Sequence, residues 1–333
     1  MYKTIALLIV SFFFVSSAVN CSRKDEQRPG QDDKLTLAVV PWPASAAIFV
    51  AQEKGFFRDE GLDLTLQIHP SGHLGLDAVL GGKADLATAG ETPIVRAAIG
   101  GKPCVIIASI CEIERPILII GRKDRGVSAP IDLKDKRVGV VPRTTADFFL
   151  HIYLITSYID PEEVNIVNLM VDEVVEAMLN GEVDAVSTWM PYTAILRDKL
   201  GLNATVFQEQ SIYTMTWNIV AAQDFAEKNP EPIKKFLSAI SKANKFIEEN
   251  NAEAHEVCSR YIGTESLLFN REWSNYFFTM KLDQSLLLNL EDQARWISEK
   301  EGASEGKAHN FLDNINATGL RAVQSEAVRI IGK

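Results

Sequence analysis

The stretch Asp77-Ala-Val-Leu-Gly-Gly-Lys-Ala-Asp85, continued by Leu86-Ala-Thr-Ala-Gly-Glu-Thr-Pro93, decides the fold. A helix ends, the chain turns tightly, and a short buried strand leads into a new helix. Gly81 and Gly82 can take the left-handed conformation that closes a helix. Residues 86–89 are small and mostly apolar, as expected of a strand covered on both faces. Gly90-Glu91-Thr92-Pro93 then reads as a helix entry, with Thr92 as N-cap and Pro93 at the first helical position. The phrase recurs: Glu176-Ala-Met-Leu-Asn-Gly-Glu-Val-Asp184 runs into Ala185-Val-Ser-Thr-Trp-Met-Pro191, and Ala78, Leu80, Gly82 and Asp85 reappear at one constant offset as Ala177, Leu179, Gly181 and Asp184. Two readings fit: a pair of similar α/β lobes, or two unrelated βα units of one larger sheet. In the first, loops at the carboxyl ends of the strands face a shared crevice, where open α/β sheets bind ligands.

Composition sets bounds on this reading. A chain of 333 residues, less an N-terminal signal, makes about two domain-sized units. With 47% apolar and 23% charged residues it can form an ordinary globular core. A net charge of −10 and the lack of a basic run argue against nucleic acid as a partner. Cys21, Cys104, Cys111 and Cys258 show no metal-ligand spacing. Cys104 and Cys111 flank one expected strand and would lie about 23 Å apart if extended, too far for a disulfide unless the chain turns back.

Residues 1–20 read as an export signal: Lys3 supplies the positive start, and the apolar run 5–19 is too short for a membrane span. Cys21 follows directly, then a polar segment containing Pro29-Gly30. This resembles the lipobox of bacterial lipoproteins, except that Ala18 stands where leucine is usual and Asn20 where a small residue is usual. Lipidation of Cys21 would make 21–34 a flexible tether holding the protein on the membrane, in the periplasm or at the cell surface. The alternative is plain cleavage after Ala18, since Ser16 and Ala18 form a small-x-small site.

Along the chain, strands are expected at 35–40, 62–68, 105–110 and 116–121, with helices at 44–54 and 72–80. The charged, then small, then proline-containing segment 123–130 reads as a crossing to the second lobe. A strand at 138–141 enters a helix capped by Thr144 or Thr145 and reaching 158; a strand at 164–170 and a helix at 172–179 precede the repeated phrase. Residues 214–222 read as a strand returning to the first lobe. From 229 onward the chain is helical and amphipathic, with Ile233, Phe236, Leu237, Ile240, Ala243 and Ile247 at helical spacing. Lobe I would comprise 35–122 and 223–333, and lobe II 123–222.

Lys54-Gly-Phe-Phe57, Glu60-Gly-Leu62, Ala84-Asp85, Gly90-Glu-Thr-Pro-Ile-Val-Arg-Ala-Ala98 and Gly101-Lys-Pro103 resemble the substrate-binding proteins of bacterial ABC importers. The branch is the nitrate/sulfonate/taurine group, which also holds the thiamine-pyrimidine-precursor binders. Lys136-Arg-Val-Gly-Val140, Thr144-Thr145, Trp189 and Pro191-Tyr192 carry the likeness through the second lobe. The resemblance covers 35 to about 325 and rests on the order and spacing of these motifs. It implies a two-lobed periplasmic-binding-protein fold of type II, each lobe a mixed sheet flanked by helices. It also implies a ligand cleft between lobes that close on a small molecule, and delivery to a permease with an ATPase. A monomer without cofactor or metal is expected.

Helix N-termini facing the cleft favour anions through their unpaired N–H groups. The helices after Ser45, Thr92 and Thr145 are the candidates, with Ser45, Thr92, Thr144 and Thr145 adding hydroxyls; the alternative is that each only caps its own helix. Trp42, Trp189 and Trp217 are candidate apolar walls, joined by Tyr192, and Asn218 is a further candidate contact. Glu91 and Asp147 depart from a pure anion site, since many relatives carry a neutral residue or histidine near the Asp147 position. Two carboxylates could hold an ammonium or a ring N–H, and Arg143 could pair with either or with a ligand acid. The expected solute is therefore an organic anion or zwitterion, taurine-like or a nitrogen heterocycle, rather than nitrate. Glu91 could instead cap its own helix.

Enzyme readings find less support. Pro70 and Gly72 interrupt His69 and His73, so a shared metal-binding helix face is not expected. His151, His255 and His309 have no partner pattern, and no phosphate loop or nucleophile elbow occurs. The same fold hosts thiamine-precursor and menaquinone-pathway enzymes, which work inside the cell, so the export signal weighs against that class. A ligand-sensing module for a membrane receptor is the third reading.

Overall fold

The structure is a computed structural model that describes residues 32–208, 213–263, 270, 272–300 and 309–332. The expected signal and Cys21 lie outside the described residues, and β1 already begins at Asp33, within the expected tether.

Strands β1 (Asp33–Val39), β2 (Leu62–Ile68), β3 (Leu86–Ala89), β4 (Cys104–Glu114), β5 (Leu118–Arg122), β6 (Arg137–Val140), β7 (Asn165–Asn168), β8 (Ala185–Thr188), β9 (Ala204–Phe207), β10 (Thr214–Ala222) and β11 (Tyr276–Phe277) form two mixed sheets. The first runs β11-β4-β10-β3-β1-β2 and the second β7-β6-β8-β5-β9. In the first, β1 is parallel to β2 and β3, and β10 is antiparallel to β3 and β4. In the second, β6 is parallel to β7 and β8, and β5 is antiparallel to β8 and β9. The two arrangements superpose in order: β2-β1-β3-β10-β4 matches β7-β6-β8-β5-β9. The repeated phrase is therefore a structural repeat, with β3 and β8 at the same place in each sheet.

The helices are α1 (Ala46–Glu53), α2 (Phe56–Asp59), α3 (Gly72–Leu80), α4 (Glu91–Ile99), α5 (Thr145–Thr156), α6 (Val174–Asn180), α7 (Tyr192–Leu200), α8 (Gln223–Lys228), α9 (Pro230–Glu249), α10 (Asn251–Ile262) and α11 (Gln284–Lys300). α9 buries Ile233, Phe236, Leu237, Ile240, Ala243 and Ile247, the predicted stripe, against α1 and α2. Phe57 stacks on Phe236 with centroids 5.3 Å apart. Burying such a side chain stabilises by roughly 1.5–3 kcal/mol.

Two differences from the sequence reading matter for the site. The change of sheet falls near Arg115, which takes a left-handed φ of 56°, and not at 123–130, because β5 already pairs in the second sheet. Helix α4 begins at Glu91 with Gly90 as its N-cap. Thr92 thus sits inside the first turn, where Pro93 is tolerated because N–H groups there lack helical partners anyway. Cys104 and Cys111 share β4, and with Cys258 they are buried free thiols.

Candidate ligand-binding site

The parallel strands of both sheets end in loops that meet at one cavity of about 40 Å³. The first sheet contributes Val40 and Trp42 after β1, Ser71 to His73 at the start of α3, Gly90, and Met215 and Trp217 from β10. The second contributes Thr144, Thr145 and Ala146 at the start of α5, and Trp189 after β8. Trp42 meets Trp217 edge to face at 4.8 Å, and the Trp217 Nε1–H donates to Ser45 Oγ at 3.0 Å. Ser45 thus holds a wall of the cavity without lining it. Trp189 is braced edge to face by Tyr192 at 5.8 Å.

Neither helix entering the cavity is closed by a capping side chain. Thr144 Oγ1 donates back to the Val141 carbonyl at 2.7 Å, and Ser71 Oγ contacts His73 Nδ1 at 2.9 Å. The first-turn N–H groups of α3 and α5, at residues that line the cavity, are left to donate to an anionic or carbonyl oxygen of a bound molecule. Burial, with Arg143 nearby, holds His73 below its ordinary pKa, so it is a neutral hydrogen-bonding group at pH 7.

Of the residues expected from sequence, Trp42, Thr144, Thr145, Trp189 and Trp217 line this cavity. Glu91, Thr92, Asp147 and Asn218 do not, and each is engaged elsewhere. The fully buried Glu91 carboxylate accepts from the Tyr213 hydroxyl, from the Thr216 N–H at 2.6 Å and from the Thr216 hydroxyl at 2.8 Å. Burial raises its pKa, and these hydrogen bonds oppose the rise. Thr92 donates to Gln293 Oε1 at 2.5 Å, and Gln293 Nε2 donates to Tyr213 at 3.1 Å. Asp147 is ion-paired to Lys300 at the end of α11, at 2.6 Å. Asn218 accepts from Ser109 Oγ at 2.7 Å and donates toward the Ala89 carbonyl at 3.3 Å. Arg143, at a left-handed φ of 67°, borders a neighbouring cavity. Among the described residues, no carboxylate lines the central cavity.

Ser71, Gly90 and Met215 were not singled out from sequence as contacts, and His73 was weighed there only as a metal ligand. Gly90 has a geometric signature: a Cβ there would lie 2.2 Å from Met215 Cε and 2.8 Å from Thr145 Oγ1. His73 could have been found from its place in Pro70-Ser71-Gly72-His73, a strand-to-helix loop equivalent to the others that reach the cleft.

The description "NMT1/THI5 like" names the protein family that matches residues 42–254. The chain belongs to this family. Among family relatives, the taurine-binding periplasmic protein of Escherichia coli (strain K12) is 28% identical over 222 residues, 65% of this chain and 67% of that one. The 4-amino-5-hydroxymethyl-2-methylpyrimidine phosphate synthase THI12 of Saccharomyces cerevisiae is 24% identical over 235 residues, 65% of this chain and 67% of that one. The NMT1/THI5-like fold seen here is similar to the alkanesulfonate-binding protein SsuA from Xanthomonas axonopodis pv. citri bound to MOPS. That match has a TM-score of 0.75 at 15% identity, over 86% of this chain and 99% of that one. The periplasmic-binding-protein fold expected from sequence is therefore the fold of this chain.

Proposed function

We propose that this protein is an extracytoplasmic solute-binding component of an ABC importer, and that it captures a small organic anion of the sulfonate type. The observation that carries this reading is the composition of the central cavity. Uncapped starts of α3 and α5 meet three tryptophans there, and among the described residues no carboxylate joins them. Helix starts and hydroxyls hold an anionic oxygen group, and indole faces hold an apolar body. Because Glu91 and Asp147 are spent on Tyr213, Thr216 and Lys300, an anion without an ammonium group fits better than a taurine-like zwitterion. The names of the taurine- and alkanesulfonate-binding proteins agree with the anion class.

In this reading the sheets form two lobes that close on the solute, and Thr92 and Thr145, whose hydroxyl oxygens lie 3.5 Å apart, meet as they close. Only contacts that differ between open and closed forms drive such closure, so the solute must touch both sheets. Cys21 would anchor the exported chain by a lipid, and a permease and ATPase would receive the solute. Calorimetry of the full chain with butane-1-sulfonate, taurine and nitrate tests the class. Butane-1-sulfonate is expected to bind at least tenfold more tightly than the other two; preferential nitrate binding, or chemical turnover of the bound compound, would remove this reading.

A further inference from the structure

A second cavity, of about 300 Å³, opens beside the central one, and His73 and Pro93 line both. Its remaining wall includes Asp77, Arg96, Lys102 and Arg143. Among the described residues of this wall, Lys102 and Arg143 share one carboxylate, Asp77, in a chain whose net charge is −10. Asp77 pairs with both, Arg143 Nη2 standing 3.6 Å from its Oδ2 and Lys102 Nζ 3.9 Å from its Oδ1, so one carboxylate is divided between two cations at ion-pair range and beyond hydrogen-bonding distance. The Arg143 and Lys102 side chains remain 52% and 56% exposed, so their charged ends can still be reached. Arg143 also holds a left-handed φ of 67°, uncommon for a residue with a side chain, immediately before the two threonines that line the central cavity.

We propose that this chamber is a second anion subsite, and that the solute is an elongated organic dianion. One anionic group lies at the starts of α3 and α5, an apolar body crosses beside His73, and the other anionic group sits between Lys102 and Arg143. The proposal rests on the solute-binding reading above and narrows its ligand class. The central cavity, at about 40 Å³, holds little more than one small group, and the adjoining space is where the rest of a longer molecule fits. A competing role for Arg143 is a plain latch: Asp77 lies on α3 and Arg143 on the loop after β6, so their pairing ties the first sheet's helices to the second sheet.

One set of titrations separates these cases. Propane-1-sulfonate and propane-1,3-disulfonate are titrated by calorimetry into the full chain, into Lys102→Gln/Arg143→Asn, and into Asp77→Asn, with thermal melts to confirm folding. The disulfonate is expected to bind wild type at least tenfold more tightly than the monosulfonate. That ratio should collapse toward one in the double variant while monosulfonate affinity moves less than threefold. Asp77→Asn removes the competing carboxylate and should widen the ratio; a latch would instead weaken both sulfonates alike, which overturns the subsite. Equal affinities in wild type also overturn it and leave the solute-binding reading standing, whereas binding of neither sulfonate removes that reading and the subsite with it.

Discussion

Glu91 is the residue on which a contact with solute and a role in holding the fold together give opposite expectations. Its carboxylate is the acceptor for the Tyr213 hydroxyl, the Thr216 N–H and the Thr216 hydroxyl. Glu91→Ala leaves these donors without their buried acceptor. Each buried donor left unsatisfied costs about 1–3 kcal/mol. Thr216 Oγ1 also accepts from Asn218 at 3.1 Å, and the Tyr213 hydroxyl from Gln293, bonds that hold the two oxygens in place without satisfying their protons. With three donors orphaned, each near the low end of that range, the net loss should be about 3 kcal/mol. Glu91→Gln keeps the shape and one carbonyl acceptor and should cost about 1 kcal/mol. The pH dependence has a definite sign. Burial raises the folded pKa above the unfolded value near 4.3, so the native state holds a proton that the unfolded chain has released. The stability from this group is greatest at low pH and declines as pH rises from about 4.3 through the folded pKa. Glu91→Gln should remove that slope. Urea unfolding monitored by circular dichroism from pH 4 to 8 measures both effects. A Glu91→Ala variant that loses less than 1 kcal/mol of stability, yet binds solute tenfold more weakly, would refute the structural role and return Glu91 to the ligand.

Three further expectations use the same kind of measurement. Lys300→Ala should cost about 1–2 kcal/mol in urea unfolding, because Asp147 keeps only 6% of its side chain exposed and would lose its partner; the partly exposed lysine holds the figure down. Asp147→Asn should leave sulfonate affinity within threefold in calorimetry, whereas a carboxylate serving a ligand ammonium would change it by more than tenfold. Gly90→Ala should lower solute affinity, since its Cβ would crowd Thr145 Oγ1, and a partner Met215→Ala change should recover only the part due to the methionine. His73 is held below its ordinary pKa, so its contribution to stability is present above about 6.5 and lost as pH falls from there through the folded value; His73→Asn should flatten that part of a stability–pH curve.

Much of the scaffold was legible because its punctuation is local. The strand 62–68, the helix 72–80 and the strands 86–89 and 214–222 stand where glycine, proline and residue alternation set them. The sheet change was misplaced because 123–130 has the texture of a linker, yet pairing decides sheet membership, and β5 finds its partners in β8 and β9, far along the chain. The cavity walls were half legible. Trp42, Trp189, Thr144 and Thr145 sit in loops that follow strands, and that grammar is visible in sequence. His73 was considered only as a metal ligand, so its role as a neutral cleft residue was missed.

The acidic residues show where local reading stops. Glu91 and Thr92 sit at a helix start, the natural place for a group that meets an anion-binding cleft. Their partners Tyr213, Thr216 and Gln293 lie 122, 125 and 201 positions away. Nothing near Glu91 in sequence signals that its charge is already spoken for. The consequence reaches the ligand. Thr92 donates to Gln293, Gln293 to Tyr213, and Tyr213 to Glu91, so the Glu91 and Thr92 side chains at the start of α4 are committed to a chain of bonds running into α11 and β10. The starts of α3 and α5 carry no such commitment, because Ser71 turns to His73 and Thr144 to Val141. In the proposed reading, selectivity in this cleft comes from the uncapped starts of α3 and α5 and an indole cage, while the Glu91 and Thr92 side chains of α4 fasten the first sheet to α11.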